Sequence, residues 1–379
     1  MSTTDPSRLP GAPAGVRLRP LVSELAVYAP GASSGVPEGV PVVKLSSNEG
    51  AEGPTPAALA AIAAEAPELN RYPDSGALHA ALADAHGLTP NMVAASPGAD
   101  MSIGYLAAAF LDPGDDVVFA WPAFVSYALT AQKQQANAIK VPLTADDTHD
   151  LAALLAAITP QTSLVYVCNP NNPTGTYVSR EALRRFVDAL PEHVVCVVDE
   201  AYSEYVLEDD YPNAIEEYVK PGHPRVAVLR TFSKIYGLAG LRVGWMAAPA
   251  WIIDASIRVR GPFDVNAMAA AAAIASLADA ATIERRAREN AVRRESLRAR
   301  LTAAGIASTG VANFLTVTVD DAQATTAALT QRGVIVRPLN GFGAPTKIRI
   351  TIGSDADMAL AEPIIVDVLA SLQTQRQSS

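Results

Sequence analysis

The stretch Val194-Val195-Cys196-Val197-Val198-Asp199-Glu200-Ala201-Tyr202 decides the fold of this chain. The run Val194–Val198 is wholly apolar, almost wholly β-branched, and of strand length. No polar residue alternates within it, so both faces of the strand must meet apolar neighbours. Strands read this way in a parallel sheet covered by helices on both sides. The run stops at Asp199. An acid at that point is partly desolvated, which is costly without a cationic partner. A cap on a following helix accounts for it equally well.

Further apolar runs surround it, at Asp116–Ala120, Ala138–Val141, Ser163–Cys168, Val226–Leu229 and Arg242–Met246. Helical patterns occupy Pro56–Glu65, Leu78–His86 and Ser102–Leu111. Strand then helix, repeated, predicts an α/β sheet with both faces covered. After Pro249 the pattern changes. A long helical region over Asn266–Ala304 leads to a strand at Phe314–Val319 and a helix at Ala322–Arg332. Strands at Val334–Arg337 and Ile348–Ile352 and a last helix at Ala359–Leu372 complete an α+β unit. The length, 379 residues, also predicts two domains rather than one core.

The net charge of −10 and the lack of a basic stripe argue against a nucleic-acid binder. Arg285, Arg286, Arg288, Arg293, Arg294, Arg298 and Arg300 are interleaved with Glu284, Glu289 and Glu295. On a helix that pattern predicts a solvated face laced by ion pairs. An acidic chain repels anions at long range, so an anionic ligand has to be held by local groups. Cys168 and Cys196 each sit in an apolar run, which predicts buried thiols. The five histidines form no ligand-spaced cluster, so no metal is expected. The start Met1–Pro6 lacks the basic and apolar parts of a leader, and the Ala269–Ala273 run is too short to span a bilayer. The cytoplasm is the expected location.

In open α/β sheets ligands bind beyond the carboxyl ends of the strands. After Ser163–Cys168 comes Asn169-Pro170-Asn171-Asn172-Pro173-Thr174-Gly175, a loop stiffened by its prolines that carries the Asn172 amide. After Val226–Leu229, the segment Arg230–Arg242 gathers Ser233, Lys234 and Arg242. Serine and arginine suit a phosphate. A lysine beside another cation is pushed toward the free amine that carbonyl chemistry needs. Ser96-Pro97-Gly98-Ala99-Asp100 brings small residues to a helix start, where backbone N–H groups meet an anion. Phe124, after the run Asp116–Ala120, offers either a ring to stack on a planar cofactor or a core aromatic. An amine nucleophile, a phosphate cup, an acid for a ring nitrogen and a flat aromatic are together what pyridoxal 5′-phosphate (PLP) requires of a protein.

Asn169–Gly175, Asp199–Tyr202 and Thr231–Arg242 resemble the PLP-dependent aminotransferases of fold type I. More narrowly, they resemble the histidinol-phosphate aminotransferase family, including its aromatic amino-acid aminotransferase branch. The likeness extends to Lys44–Glu49, Asn70–Asp74, Asp112–Val117, Arg337 and Ile348–Gly353. It implies a mostly parallel central sheet in a large domain plus a small α+β domain. The corresponding division is a disordered tail over 1–20, a segment over 21–45 joining the small domain and the substrate pocket, a large PLP-binding domain over 46–250, and a small domain over 251–379.

The resemblance also implies roles. Lys234 would bind the cofactor covalently and then act as the base. Asp199 would pair with the ring nitrogen, and Asn172 and Tyr202 with the ring hydroxyl oxygen. Ala99 and Asp100 backbone groups, with Ser233 and Arg242, would hold the phosphate, and Phe124 would stack on the ring. Tyr72 would reach the cofactor phosphate of a neighbouring subunit, implying a homodimer. Arg349, assisted by Arg337, would bind the anionic group of the substrate, and Tyr28 and Asn48 would line its pocket. The implied reaction is transamination between histidinol phosphate and 2-oxoglutarate, with phenylalanine or tyrosine as the alternative donor.

Two departures from the family pattern stand out. Gly50-Ala51-Glu52-Gly53-Pro54 replaces a common Asn-Pro-Leu-Gly-Pro near the expected substrate entrance, and Met101 replaces a common acid in the phosphate loop. A PLP-dependent decarboxylase of a phosphorylated amino acid is the rival on the same scaffold. A DNA-binding regulator would need a further domain ahead of the match. A dinucleotide oxidoreductase would need a G-x-G-x-x-G turn after its first strand, which is missing.

Overall fold

The computed structural model of the chain describes residues 19–25, 32 and 34–377. Tyr28 and most of the expected N-terminal tail lie outside the described residues. The first half contains α1 (Pro20–Glu24), β1 (Val43–Lys44), α2 (Pro56–Glu65), α3 (Gly76–His86), β2 (Val93–Ser96), α4 (Ala99–Phe110), β3 (Asp116–Trp121), α5 (Ser126–Lys133), β4 (Asn137–Pro142), α6 (Leu151–Ala156), β5 (Thr162–Cys168) and α7 (Arg180–Asp188). There follow β6 (Val195–Asp199), β7 (Val226–Thr231), β8 (Gly244–Ala247), α8 (Ala250–Val259), α9 (Ala267–Leu277) and α10 (Ala280–Ala303). The chain ends with β9 (Ser308–Thr309), β10 (Phe314–Thr318), α11 (Ala322–Gln331), β11 (Val334–Ile335), β12 (Arg337–Pro338), β13 (Lys347–Thr351) and α12 (Asp355–Gln377).

A seven-stranded sheet has the order β2-β8-β7-β6-β5-β3-β4. Strands β3 to β7 pair in parallel, and β8 runs antiparallel to both β7 and β2. The period of two along each strand sends neighbouring residues to opposite faces. Val165, Val167, Cys196 and Val198 enter one core, while Leu164, Tyr166, Cys168, Val195 and Val197 enter the other. Both faces are therefore apolar and both are covered, which is why no polar alternation appears in these runs. Cys168 and Cys196 are buried free thiols, one on each face.

The smaller antiparallel sheet has the order β12-β13-β10-β9, and its own core includes Leu315, Val317, Ile348 and Ile350. Strand β1 joins this side by pairing in parallel with β11.

The long helix expected over Asn266–Ala304 is two helices bent by 82°. Asp279 causes the break: its carboxylate accepts from Thr282 N at 3.3 Å and starts α10 as an N-cap. Helix α8 packs on α4, and α9 packs on α2 and α3. We therefore propose that the division between the two units falls at the α9–α10 junction rather than at 250. The strand β2 was not legible, because Val93-Ala94-Ala95-Ser96 contains a single bulky residue. Among the described residues no single helix is long and apolar enough to cross a membrane.

The basic cluster on α10 is only partly a solvated face. Arg285 and Arg288 pair with Glu289 and Glu284 in the open, as expected. Arg286 and Arg294 are buried instead. Arg294 turns inward to the carbonyls of Val311 and Ala312, and Arg286 reaches the 50–54 segment and the loop after β7.

Candidate active site

A cavity of about 180 Å³ opens at the carboxyl ends of the parallel strands, between the large sheet and the small one. Lys234, Asp199, Tyr202, Ala99, Asp100, Phe124, Asn172, Ser233, Arg242, Asn48, Arg337 and Arg349 all line it. Residues separated by up to three hundred positions in sequence converge because four strand ends and the returning β12–β13 ladder face one space.

Asp199 ends β6 and is 3% exposed. Tyr127 donates its hydroxyl to Oδ2 at 2.6 Å, and Ala201 N–H donates to Oδ1 at 3.1 Å. Burial nevertheless raises the carboxyl to about 6, against the two hydrogen bonds that pull it down. A buried acid in that condition is poised to accept a cationic partner.

Lys234 follows β7 and is half-buried, with its amine 5.5 Å from the centre of the Tyr202 ring. Loss of water around the amine, then the nearby Arg349 charge, lowers it to about 8. About a tenth is thus neutral at pH 7, far more than for an ordinary lysine. Tyr202 is buried, packs edge-on against Phe314 at 5.2 Å, and accepts from Asn48 Nδ2 at 3.0 Å. Asn48 itself adopts φ 51° and is held by Thr351.

The first turn of α4 begins at Ala99, so the Ala99 and Asp100 N–H groups have no intrahelical acceptor. Ser233 and Arg242 stand beside it, with Arg242 Nη1 3.5 Å from Ser233 Oγ. Arg242 adopts φ 57°, a costly conformation for a non-glycine residue that aims its side chain here. A Cβ on Gly98 would come within 2.6 Å of Arg242 Nη2, and one on Gly244 would come within 2.7 Å of the Gly98 carbonyl carbon. The two glycines let the 98–99 backbone, the 244 backbone and the Arg242 guanidinium close into one cradle for an anion.

On the small-sheet side, Arg337 and Arg349 are cross-strand partners in the β12–β13 ladder. Each guanidinium carbon lies 5.6 Å from the centre of the Phe342 ring. Arg349 also donates to Asn172 Oδ1 and to Ser46 O, the latter at 3.2 Å. Phe124 packs edge-on against Tyr127 at 5.9 Å and faces the cavity.

Tyr72 does not enter this cavity. It is 81% exposed and stacks on Phe263 at 4.6 Å. Several lining residues escaped the sequence, among them Ser46, Ser47, Cys168, Ala201, Thr231 and Phe342. Phe342 stands between Gly341 and Gly343, and an aromatic flanked by glycines was a signal that could have been read. Tyr127 lies on α5, a helix not anticipated, and its sequence neighbours give no hint of Asp199. The departure at Gly50–Pro54 does not line the cavity: Glu52 faces Arg286 and Arg293 behind the Lys234 loop.

Residues 40–362 match the family described as aminotransferase class I and II. The chain is 39% identical over 349 residues to a histidinol-phosphate aminotransferase of Rhodopseudomonas palustris, covering 90% of this chain and 95% of that one. It is 45% identical over 319 residues to an aromatic amino acid aminotransferase of Rhodococcus jostii, covering 83% and 87%. The crystal structure of histidinol-phosphate aminotransferase from Sinorhizobium meliloti in complex with pyridoxal-5′-phosphate matches with a TM-score of 0.83 at 29% identity, covering 96% of this chain and 99% of that one. The chain belongs to the class I and II aminotransferases, with the fold type I architecture of the PLP-dependent members.

Proposed function

We propose that this chain is a PLP-dependent aminotransferase that takes histidinol phosphate as amino donor and 2-oxoglutarate as acceptor. The residues that line the cavity fit the cofactor in chemistry. The glycine-lined cradle of Gly98, Ala99 and Asp100, with Ser233 and Arg242, would hold the phosphate. Asp199 would pair with the ring nitrogen, Asn172 and Tyr202 would reach the ring hydroxyl, and Phe124 would lie against the ring. Lys234 would attach the cofactor through its amine.

When bound, PLP supplies an electron sink for the carbanion formed at the donor's α-carbon. The chain's own part is to position and to move protons. Lys234 Nζ would take the α-proton of the donor. Asp199, enclosed by Tyr127 and Ala201, keeps a proton on the ring nitrogen by offering it a negative partner.

The observation that carries the substrate reading is the Arg337–Arg349 pair. Like charges directly opposite in a ladder repel, and both guanidinium groups meet the same cavity. A phosphate monoester, with up to two negative charges and three acceptor oxygens, offsets that repulsion better than a carboxylate. The Rhodopseudomonas relative supports the same reading. The Rhodococcus relative, at 45% identity, favours phenylalanine or tyrosine as the second reading.

Tyr72 supports a homodimer. An exposed tyrosine stacked on an exposed phenylalanine, away from the chain's own cavity, is consistent with a side chain that serves a neighbour's site.

The test is a half-reaction without oxo acid. PLP-loaded protein is mixed separately with histidinol phosphate and with phenylalanine, and the absorbance of the lysine-linked cofactor is followed. Its loss at far lower histidinol phosphate concentration is expected. Preference for phenylalanine would move the chain to the aromatic branch, and release of carbon dioxide from a phosphorylated amino acid would make it a decarboxylase.

A further inference from the structure

The segment Gly50–Gly53 packs against the backbone of the Lys234 loop without spare room. A Cβ on Gly50 would come within 2.5 Å of Lys234 O, and one on Gly237, at φ 73°, would come within 2.6 Å of Gly53 C and O. Behind this contact only about 10 Å³ of space remains, lined by Glu52, Tyr205, Ile235, Arg286, Asn290 and Arg293. Arg286 reaches in from α10 and is 6% exposed. Its Nη1 donates to Ile235 O at 2.8 Å and its Nη2 to Gly53 O at 2.7 Å, while Nε lies 3.2 Å from Glu52 Oε2. Glu52 is shared with Arg293, at 3.2 Å, and Arg293 also binds Asp355 at 2.6 Å.

We propose that Arg286 is a positioning residue for Lys234: its guanidinium, oriented by Glu52, clamps the carbonyls of Ile235 and Gly53 and so fixes the backbone from which the lysine amine reaches the cavity. This rests on the reading of Lys234 as the cofactor-binding lysine. The guanidinium fork suits the task, because its two Nη groups donate in fixed directions to two carbonyls while its charge pairs with the Glu52 carboxylate. A lysine at 286 has its donors on a single nitrogen, which cannot stand where both Nη atoms do. The carboxylate of Glu52 lets a buried cation sit there, since an unpaired one would be costly. The role is geometric. Arg286 touches the peptide next to Lys234 rather than its amine, and a misplacement of about 1 Å at a reacting group costs on the order of a hundredfold in rate.

The test compares wild type with Arg286→Met, Arg286→Lys, Arg286→Ala and Glu52→Gln. Two measurements are made on each: the rate and pH dependence with which cofactor-stripped protein captures added PLP on its lysine, and kcat and KM of the reloaded enzyme. Thermal unfolding is followed in parallel. Arg286→Met is expected to slow capture and lower kcat by about ten- to a hundredfold, with KM nearly unchanged. Arg286→Lys should fall between, and Glu52→Gln should move the same way by less. Methylguanidinium added to Arg286→Ala should restore part of the capture rate. Wild-type capture and kcat in Arg286→Met would overturn the role. So would a lowered melting temperature with unchanged capture and kcat per folded molecule, and Glu52→Gln and Arg286→Lys keep that decision open if Arg286→Met does not fold. A wild-type protein that never links PLP to a lysine would sink the cofactor assignment itself, a separate result from either of these.

Discussion

The Tyr127 hydroxyl donates to Asp199 Oδ2 at 2.6 Å, and both side chains are buried. Tyr127 in turn stacks on Tyr166 at 4.5 Å, so its ring is held by the core and its hydroxyl is fixed. This bond favours the ionised acid, and burial opposes it. Tyr127→Phe should therefore push Asp199 further up and weaken its hold on a protonated ring nitrogen. A hydrogen bond to a charged group contributes about 1.5–3 kcal/mol, so PLP affinity should fall by about ten- to a hundredfold. Equilibrium titration of the stripped protein with PLP measures this. Unchanged affinity would remove Tyr127 from the site's electrostatics.

Asp199 makes the stripped protein's stability depend on pH. Burial raises it to about 6 in the folded chain, against about 3.9 when unfolded. Between those values the folded state holds the extra proton. Stability is therefore lost as pH rises through that window and stays lower above it, by roughly 3 kcal/mol. Asp199→Asn removes the buried charge. The stripped variant should unfold at higher denaturant concentration than wild type at neutral pH, with the gap closing in acid, while the loaded variant loses turnover. A stripped Asp199→Asn less stable than wild type at neutral pH would show that the acid is already paired without cofactor.

Lys234 titrates where the chemistry needs it. Loss of water and then the Arg349 charge lower the amine to about 8, with Glu49 acting in the opposite sense. On the proposed role of Lys234, the neutral amine would capture PLP, so capture should accelerate as pH rises and level off above about 8. Arg349→Met removes the second cause, and the midpoint of that profile should move to higher pH. A midpoint that stays put or moves down would remove Arg349 from the causes of the shift.

Much of this site was readable before the fold was known, and the reason is local. Asp199 ends one apolar run, and Asn172 and Lys234 lie in the loops just past two others, where the chain itself marks the edge of the sheet. What could not be read came from long-range packing. Tyr127 meets Asp199 only because α5 lies across the sheet, and Phe342 meets Arg337 and Arg349 only because a short turn folds back over the ladder. Arg286 and Arg294 of α10 depart from the expected solvated face for the same reason. Their spacing with glutamates is that of a solvated helix face, and only the tertiary structure turns Arg286 and Arg294 inward.

The proposed dimer has a clean test in mixed subunits. Lys234→Ala should be inactive, since the base is gone, and Tyr72→Ala weakened, since each site loses its neighbour's hydroxyl. If Tyr72 acts across the interface, a mixed dimer has one site carrying both changes and one carrying neither. Mixing the two variants after partial denaturation should then regain activity above the sum of the separate proteins. No regain in verified mixed dimers would confine Tyr72 to its own subunit.

Gly244 carries the last prediction. It lies on β8 opposite Ser96 of β2, under the first turn of α4. A Cβ there would overlap Ala99 N and come within 2.7 Å of the Gly98 carbonyl carbon, both of them backbone atoms with no rotamer to yield. Overpacking of this kind typically costs about 1–3 kcal/mol. The displaced atoms are also the ones that would face the cofactor phosphate, so Gly244→Ala should weaken PLP binding more than it lowers the melting temperature would suggest. Free pyridoxal, which lacks the phosphate, separates the two effects. Its binding should change little in the folded variant, while PLP binding should drop by about tenfold or more, the equivalent of one lost phosphate hydrogen bond. Equal losses for both ligands would mean that the cradle of Gly98 and Ala99 does not hold the phosphate.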